Sequence, residues 1–253
     1  MYQYGASAPE SLGVTPARLA GGVLLHMRND PISYWSKALG FGSEVTPDLI
    51  DEILTFYRKC NATTAVLQFA PQLLPSSFTT LAADKGLSAE GSFVKLGCEV
   101  GEVQAATTDL RIGRVEPRDA AEWGEVILAG FGAPGTALSE MIANSVSNPA
   151  FHAFAAWDGD TMVAGGNLLV HGDTASINTG ATLPQYRGRG AQSALIAARA
   201  HAARQAGCTW VVAETGLPTP GEKNTSLDNL RRAGLRVLYE RQNWRWTSDP
   251  ADA

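Results

Sequence analysis

Thr182-Leu183-Pro184-Gln185-Tyr186-Arg187-Gly188-Arg189-Gly190-Ala191-Gln192 separates a β-branched run, Ala175–Leu183, from an Ala-rich run, Ala191–Ala206. The first run reads as a strand and the second as a helix ended by Gly207. A strand that breaks into a Gly- and Arg-rich turn and then opens a helix is a device for holding phosphate. The N–H groups of the first helical turn have no acceptor within the helix, and the helix dipole adds partial positive charge there. Gly188 and Gly190 let the backbone approach a ligand closely and adopt positive φ at little cost. Arg187 and Arg189 add charge-assisted donors, each about 1.5–3 kcal/mol when paired.

The remaining composition narrows the class of protein around this loop. At 253 residues the chain accommodates one large domain or two small ones, and 45% hydrophobic content calls for a packed core. A net charge of −5 argues against a general nucleic-acid binder but leaves room for a local basic pocket. No apolar run reaches membrane-spanning length, and Met1-Tyr2-Gln3-Tyr4 lacks the basic and apolar regions of a signal peptide. Cys60, Cys98 and Cys208 are odd in number and far apart. They suit neither a disulfide framework nor a zinc cluster, so core packing in a reducing cytoplasm is the expectation. No His/Cys/Asp/Glu spacing suggests a metal.

Taken in order, residues 1–16 carry no apolar period and read as a flexible lead-in. Ala17–Met27 suits a strand, and Ile32, Trp35 and Leu39 stand at helical spacing. Thr46-Pro47 starts a helix running to about Cys60, with Thr46 as N-cap. A strand over 63–69, a short helix ending at Lys85-Gly86 and a strand over 92–100 complete a first domain, 17–105, with a boundary near Glu102–Asp109. The second domain, 110–248, begins with strand Leu110–Val115, a helix carrying Ala120, Trp123, Ile127 and Phe131, and a short helix marked by Leu138, Met141, Ile142 and Val146. Strands at 151–157, 161–170 and 175–183 follow, joined at Asp158-Gly159-Asp160 and Gly172-Asp173. After the phosphate loop and its helix come strand 208–214, helix 224–233 and strand 235–246. The order from Val66 through Gly86-Leu87 to Leu96 is repeated from Val211 through Gly234-Leu235 to Arg241, a hint of an internal repeat whose first copy lacks the phosphate loop.

This strand order, with Arg187-Gly188-Arg189-Gly190-Ala191-Gln192 after the third strand of the meander, resembles the GNAT acetyltransferase superfamily. The family's acetyl-CoA motif runs Arg/Gln-x-x-Gly-x-Gly/Ala, and Gln192 departs from it by standing where a small residue is usual. The likeness covers about Leu110 to Trp246 and extends to members with a degenerate N-terminal copy of the fold. It implies an α/β architecture with a mixed sheet, in tandem, with acetyl-CoA as cosubstrate and no metal.

The resemblance also assigns roles. Thr182 and Leu183 would offer backbone groups to the pantetheine arm, and the N–H groups of Arg187, Gly188, Arg189, Gly190, Ala191 and Gln192 would hold the pyrophosphate, with the Gln192 amide as a further donor. Asn224 and Asn229 would contact the pantetheine or its surroundings. Leu230 occupies the place of the tyrosine that protonates the departing thiolate in many relatives, leaving Tyr239 as the substitute acid. An acceptor amine with a pKa near 10.4 needs about 4–5 kcal/mol of deprotonation at neutral pH, usually supplied through a carboxylate or imidazole. Glu214, ending the strand that diverges from the loop strand, is the candidate base, and His171 is a lesser one. His26, His152 and His201 read as surface or packing residues. Arg199, His201, Arg204 and Gln205 are expected on the outer face of the loop helix, and Phe131–Val146 along the acceptor pocket.

Two functions follow. One is an N-acetyltransferase acting on a primary amine of a small molecule or protein, with no nucleic acid or membrane partner and the oligomeric state open. The alternative is a CoA-binding regulatory protein with little turnover. A nucleotide site is disfavoured by the lack of Gly-Lys-Ser/Thr after the glycines.

Overall fold

The computed structural model describes residues 1–133 and 137–248. The chain packs as two compact units, one formed by Met1–Phe93 with the chain from Tyr239 onward, the other by Val94–Leu238. Among the described residues no helix is long and apolar enough to cross a membrane.

The first unit opens with helix α1 (Tyr2–Ala6), then strands β1 (Val14–Leu19), β2 (Gly22–Met27) and β3 (Lys37–Leu39). Residues 1–16 are therefore not a loose lead-in, and Tyr4 and Leu12 are buried. Elements this short display no readable period. The expected strand 17–27 is split by a hairpin turn, Ala20-Gly21, with positive φ at both residues: residues 17–19 end β1 and 22–27 form β2. The expected helix around Trp35 is absent. Asp30 accepts hydrogen bonds from the N–H groups of Ile32, Tyr34 and Trp35, which winds the chain into a loop and delivers Lys37–Leu39 to the sheet. Helix α2 (Pro47–Lys59) follows as expected, burying Leu49, Ile50, Ile53, Leu54 and Tyr57 along one face. Strand β4 (Thr64–Gln68) pairs parallel with β3, then helix α3 (Phe78–Asp84) leads into strand β5 (Leu87–Glu99).

The second unit holds strand β6 (Arg111–Arg114), helices α4 (Ala120–Gly130) and α5 (Ala137–Asn144), and strands β7 (Phe151–Asp158), β8 (Thr161–His171) and β9 (Thr174–Thr182). Helix α6 (Ala191–Gln205), strand β10 (Trp210–Gly216), helix α7 (Thr225–Arg232) and strand β11 (Arg236–Thr247) complete it. Strands β6 to β9 form an antiparallel meander, and β10 lies parallel to β9. The later residues of β11 belong to the first unit, pairing antiparallel with β4. The units thus divide within β5 and β11 and not at Glu102–Asp109, because that segment is tied into the second unit: Gln104 N–H donates to Ala233 O and Thr108 Oγ1 to Arg189 O.

Helices cover both faces of the second unit's meander. A Cβ added at Gly165 would meet Trp123 Nε1 of α4 at 2.3 Å, and one at Gly166 would meet Arg199 Nη1 of α6 at 2.5 Å. Successive strand residues face opposite sides, so α4 and α6 lie on opposite faces of β8.

Each unit contains a parallel strand pair bridged by a helix and followed by a helix and a strand: β3-α2-β4-α3-β5, then β9-α6-β10-α7-β11. The two bridging helices begin differently. Thr46 caps α2, its Oγ1 accepting from Leu49 N–H at 3.2 Å, and Pro47 supplies no donor. Gly190 caps α6 in the left-handed conformation, with no side-chain cap.

Candidate active site

The geometry around α6 starts with what its cap leaves open. The first bond of the helix runs from Ala194 N–H to Gly190 O, and among the described residues no acceptor takes the N–H groups of Gly188 through Ser193. Gly188 and Gly190 have φ of 84° and 79°, left-handed conformations of the kind from which nests of successive N–H groups are built. Of the N–H groups expected at a ligand, those of Gly188 to Gln192 are without a protein acceptor among the described residues, whereas Arg187 N–H donates to Pro184 O.

The arginine side chains are otherwise engaged. Arg187 folds back, its Nε donating to Thr182 O at 3.3 Å and its Nη2 to Gly130 O at 3.0 Å, so it braces β9 against the end of α4. Arg189 Nη1 donates to Asp158 Oδ2 at 2.7 Å, and its Nη2 reaches Asp158 Oδ1 at 3.2 Å and also Asp109. Hydrogen bonds from Arg189 hold the Asp109 and Asp158 carboxyls below their ordinary range. Thr108 Oγ1 donates to Arg189 O at 2.6 Å, and Thr107 O lies 3.1 Å from where a Gly190 Cβ would be. The segment 107–109 and Asp158 are site elements missed from sequence. They are remote from the loop along the chain and carry no motif of their own.

Beyond the loop the sheet opens. Pairing between β9 and β10 stops at Ile177↔Ala213, although both strands continue. The cause is a bulge on β9: Asn167↔Asn178 and Gly165↔Ala181 are partners, so Gly166 faces Thr179 and Gly180 together. Thr179 has φ 53°, rare for a β-branched residue, and its Oγ1 donates to Asn178 Oδ1 at 2.8 Å. Thr182 and Leu183 lie on this open length, with Leu183 N–H donating to Val163 O.

Glu214 is the first residue of β10 beyond the last pair. Val211 and Ala213 are buried in the core that includes α6, so alternation turns Glu214 to the other face, where Lys95 Nζ stands 3.2 Å from its Oε1. His171 pairs with Thr174 at the start of β9, about 26 Å along the strand from Thr182, and takes no part. Leu230 is buried in the same core as α6. Tyr239 is half-buried and belongs to the first unit, directly after Leu238, the last residue of the second.

Several expected ligand contacts are structural. Asn224 caps α7, its Oδ1 accepting from Ser226 and Leu227 N–H and its Nδ2 donating to Thr215 Oγ1 and Gly216 O. Asn229 Oδ1 accepts from Arg232 on the same helix. The Gln192 amide points away from the loop, donating to Ala181 O at 2.8 Å and Thr182 Oγ1 at 3.1 Å. Arg199, expected outside, is 1% exposed. Of the expected acceptor wall, Phe131 is exposed and Leu138, Met141 and Ile142 are buried, while Gly135 lies outside the described residues. Among the described residues no group of three or more His, Cys, Asp or Glu side chains could hold a metal.

Residues 122–221 match the model of the acetyltransferase (GNAT) family. That stretch of the chain is similar to a GNAT domain. The matched stretch runs from α4 through β10, and so includes the free-donor loop, the bulge and Glu214. Solved structures with the GNAT fold resemble the chain well beyond that stretch. A GCN5-related N-acetyltransferase from Kribbella flavida has a TM-score of 0.67 at 15% identity, covering 99% of this chain and 94% of its own. An acetyltransferase of the GNAT family from Novosphingobium aromaticivorans, itself described as putative, has a TM-score of 0.60 at 14% identity, covering 98% and 97%. A tandem GNAT protein from the clavulanic acid biosynthesis pathway has a TM-score of 0.60 at 12% identity, covering 90% and 79%. No curated protein matches the sequence. The family and the fold support an acyl-CoA-dependent N-acyltransferase.

Proposed function

We propose that the protein transfers an acetyl group from acetyl-CoA to a primary amine of a small molecule or protein by direct attack. The observation that carries this reading is the run of unclaimed N–H groups from Gly188 to Ser193, set beside strands that part just before Glu214. An anion with several oxygens, such as a pyrophosphate, suits such a run. The unpaired length of β9 offers backbone groups to an extended arm. Acetyl-CoA supplies an electrophilic thioester carbonyl when bound.

Glu214 is the proposed base. It stands at the mouth of the gap, and Lys95 holds its carboxylate in place. Its task is to take the proton that an alkylammonium acceptor must lose, a step of about 4–5 kcal/mol at neutral pH. Leu230 has no proton to give, so the proton returned to the thiolate comes from a donor other than the α7 position used in many relatives. The experiment is acetyl-CoA with a broad amine panel, read by CoA release and by mass spectrometry of the products. Glu214→Gln is expected to lose turnover while calorimetric acetyl-CoA binding persists. Equal turnover in the variant removes Glu214 from the role, and absence of acetyl-CoA binding in the wild type removes the reading itself.

The second reading is a CoA-binding regulatory protein. It is favoured by Leu230 in place of an acid and by the engagement of Glu214 with Lys95. Tight acetyl-CoA binding without product from any amine would select it.

A further inference from the structure

The bulge on β9 is gripped from one side by two side chains of α6. We propose that Gln192 and Arg199 are positioning residues that hold the β9–β10 gap open for the donor's thioester arm. The proposal rests on the functional reading above and concerns what makes the arm's channel, not what binds the phosphates.

The two grips flank the bulge. On one side Arg199 Nη1 donates to Asn167 O at 3.2 Å and Asn178 O at 3.0 Å, tying β8 to β9 just before the register slips. Its Nε donates to Leu195 O at 3.0 Å, one turn back on α6, which fixes the side chain to its own helix. On the other side the Gln192 amide donates to Ala181 O and Thr182 Oγ1, just after the slip. Between these anchors lie the left-handed Thr179 and Gly180. A β-branched residue held at φ 53° persists only where its surroundings over-determine it, and these bonds do so.

The strands are built to receive both side chains. A Cβ at Gly166 would stand 2.5 Å from Arg199 Nη1, and one at Gly180 would stand 2.8 Å from Gln192 Oε1. Two strand glycines therefore make room for two long polar side chains of the helix. This accounts for a glutamine at a motif position where a small residue is usual: its side chain enters the sheet, and only its backbone N–H faces the loop. Without the grips, β9 can relax toward a straight strand that continues to pair with β10 beyond Ile177↔Ala213. The arm would lose its channel, and the N–H cradle at the start of α6 would remain.

The test separates those two parts of the site. Affinities for acetyl-CoA and for 3′-phospho-ADP, which has the phosphates but no arm, are measured by calorimetry on the wild type, Gln192→Leu, Arg199→Met and Arg199→Lys. Each is held well below its own unfolding temperature. Gln192→Leu and Arg199→Met are expected to weaken acetyl-CoA about tenfold, the scale of one or two lost hydrogen bonds, and to leave 3′-phospho-ADP unchanged. Arg199→Lys is expected to recover part of the loss. If Arg199→Met does not fold, Gln192→Leu decides alone. Unchanged acetyl-CoA affinity in a folded variant, or an equal loss for both ligands, overturns the proposal. A wild type that binds 3′-phospho-ADP but gains nothing from the arm also overturns it, whereas a wild type that binds neither ligand overturns the functional reading on which it stands.

Discussion

Arg189 and Asp158 meet in a two-point ion pair, Nη1 to Oδ2 at 2.7 Å and Nη2 to Oδ1 at 3.2 Å, which joins the glycine loop before α6 to the β7–β8 hairpin. Asp109 completes the clamp on the same guanidinium. Arg189 thus shapes the loop from outside. The donors left for a ligand are backbone N–H groups, whose direction depends on the loop holding its turns.

The clamp sets an acid limit. Asp109 and Asp158 have pKa values held below their ordinary 3.8, so near and below that pH the unfolded chain binds more protons than the folded one. Their contribution is complete above about pH 3.8 and is lost as pH falls through the depressed values. A double Asp109→Asn/Asp158→Asn variant is therefore expected to show a smaller drop in urea midpoint between pH 5 and pH 3 than the wild type. At neutral pH the same variant should bind acetyl-CoA about two- to fivefold more weakly, the scale of a partly exposed ion pair.

Gly190 is constrained twice, by φ 79° and by Thr107 O at 3.1 Å from a Cβ position. Gly190→Ala is expected to cost about 1–2 kcal/mol of stability from the left-handed backbone alone. Because the strain falls on the helix cap, acetyl-CoA affinity should fall at least tenfold in calorimetry. Full affinity would mean that the cap donors do not bind the phosphates.

Thr179 tests the strain at the bulge. Asparagine tolerates the left-handed region better than a β-branched residue, so Thr179→Asn is expected to raise the unfolding free energy by about 1 kcal/mol. The measurement is a denaturant melt, with an unchanged slope showing that the folded and unfolded states keep their extent.

Asn224 separates a cap from a ligand contact. Asn224→Ala should cost about 1 kcal/mol, the usual price of an N-cap, because Ser226 and Leu227 N–H lose their acceptor. Acetyl-CoA affinity below the unfolding transition should not change. A fall in affinity without a fall in stability would give Asn224 a binding role.

Elements with long periods or strong punctuation were legible in the sequence. Thr46-Pro47 opens α2, the Asp/Gly turns join β7, β8 and β9, and Gly190 opens α6 as the motif requires. The misread segments are short and decided by single contacts. Asp30 turns the chain around Trp35 into a loop, and Ala20-Gly21 folds β1 onto β2. The strand-helix-strand order read as a repeat is found as β4-α3-β5 and β10-α7-β11, and the caps distinguish α6, opened by a glycine, from α2, opened by Thr46-Pro47.

Gly188, Gly190 and the strand-to-helix transition around them needed only local information, because positive φ and a helix start are properties of neighbouring residues. The duties of the polar side chains came from elsewhere in the chain. Arg187, Arg189, Gln192, Arg199 and Asn224 all read as groups available to ligand or solvent, yet each is bonded to protein. A hydrogen bond is satisfied by whichever acceptor folding brings within 3 Å or so, and those acceptors lie on other strands and helices. The chain order therefore specifies where the backbone donors stand, and packing alone decides which side chains are left to meet a ligand.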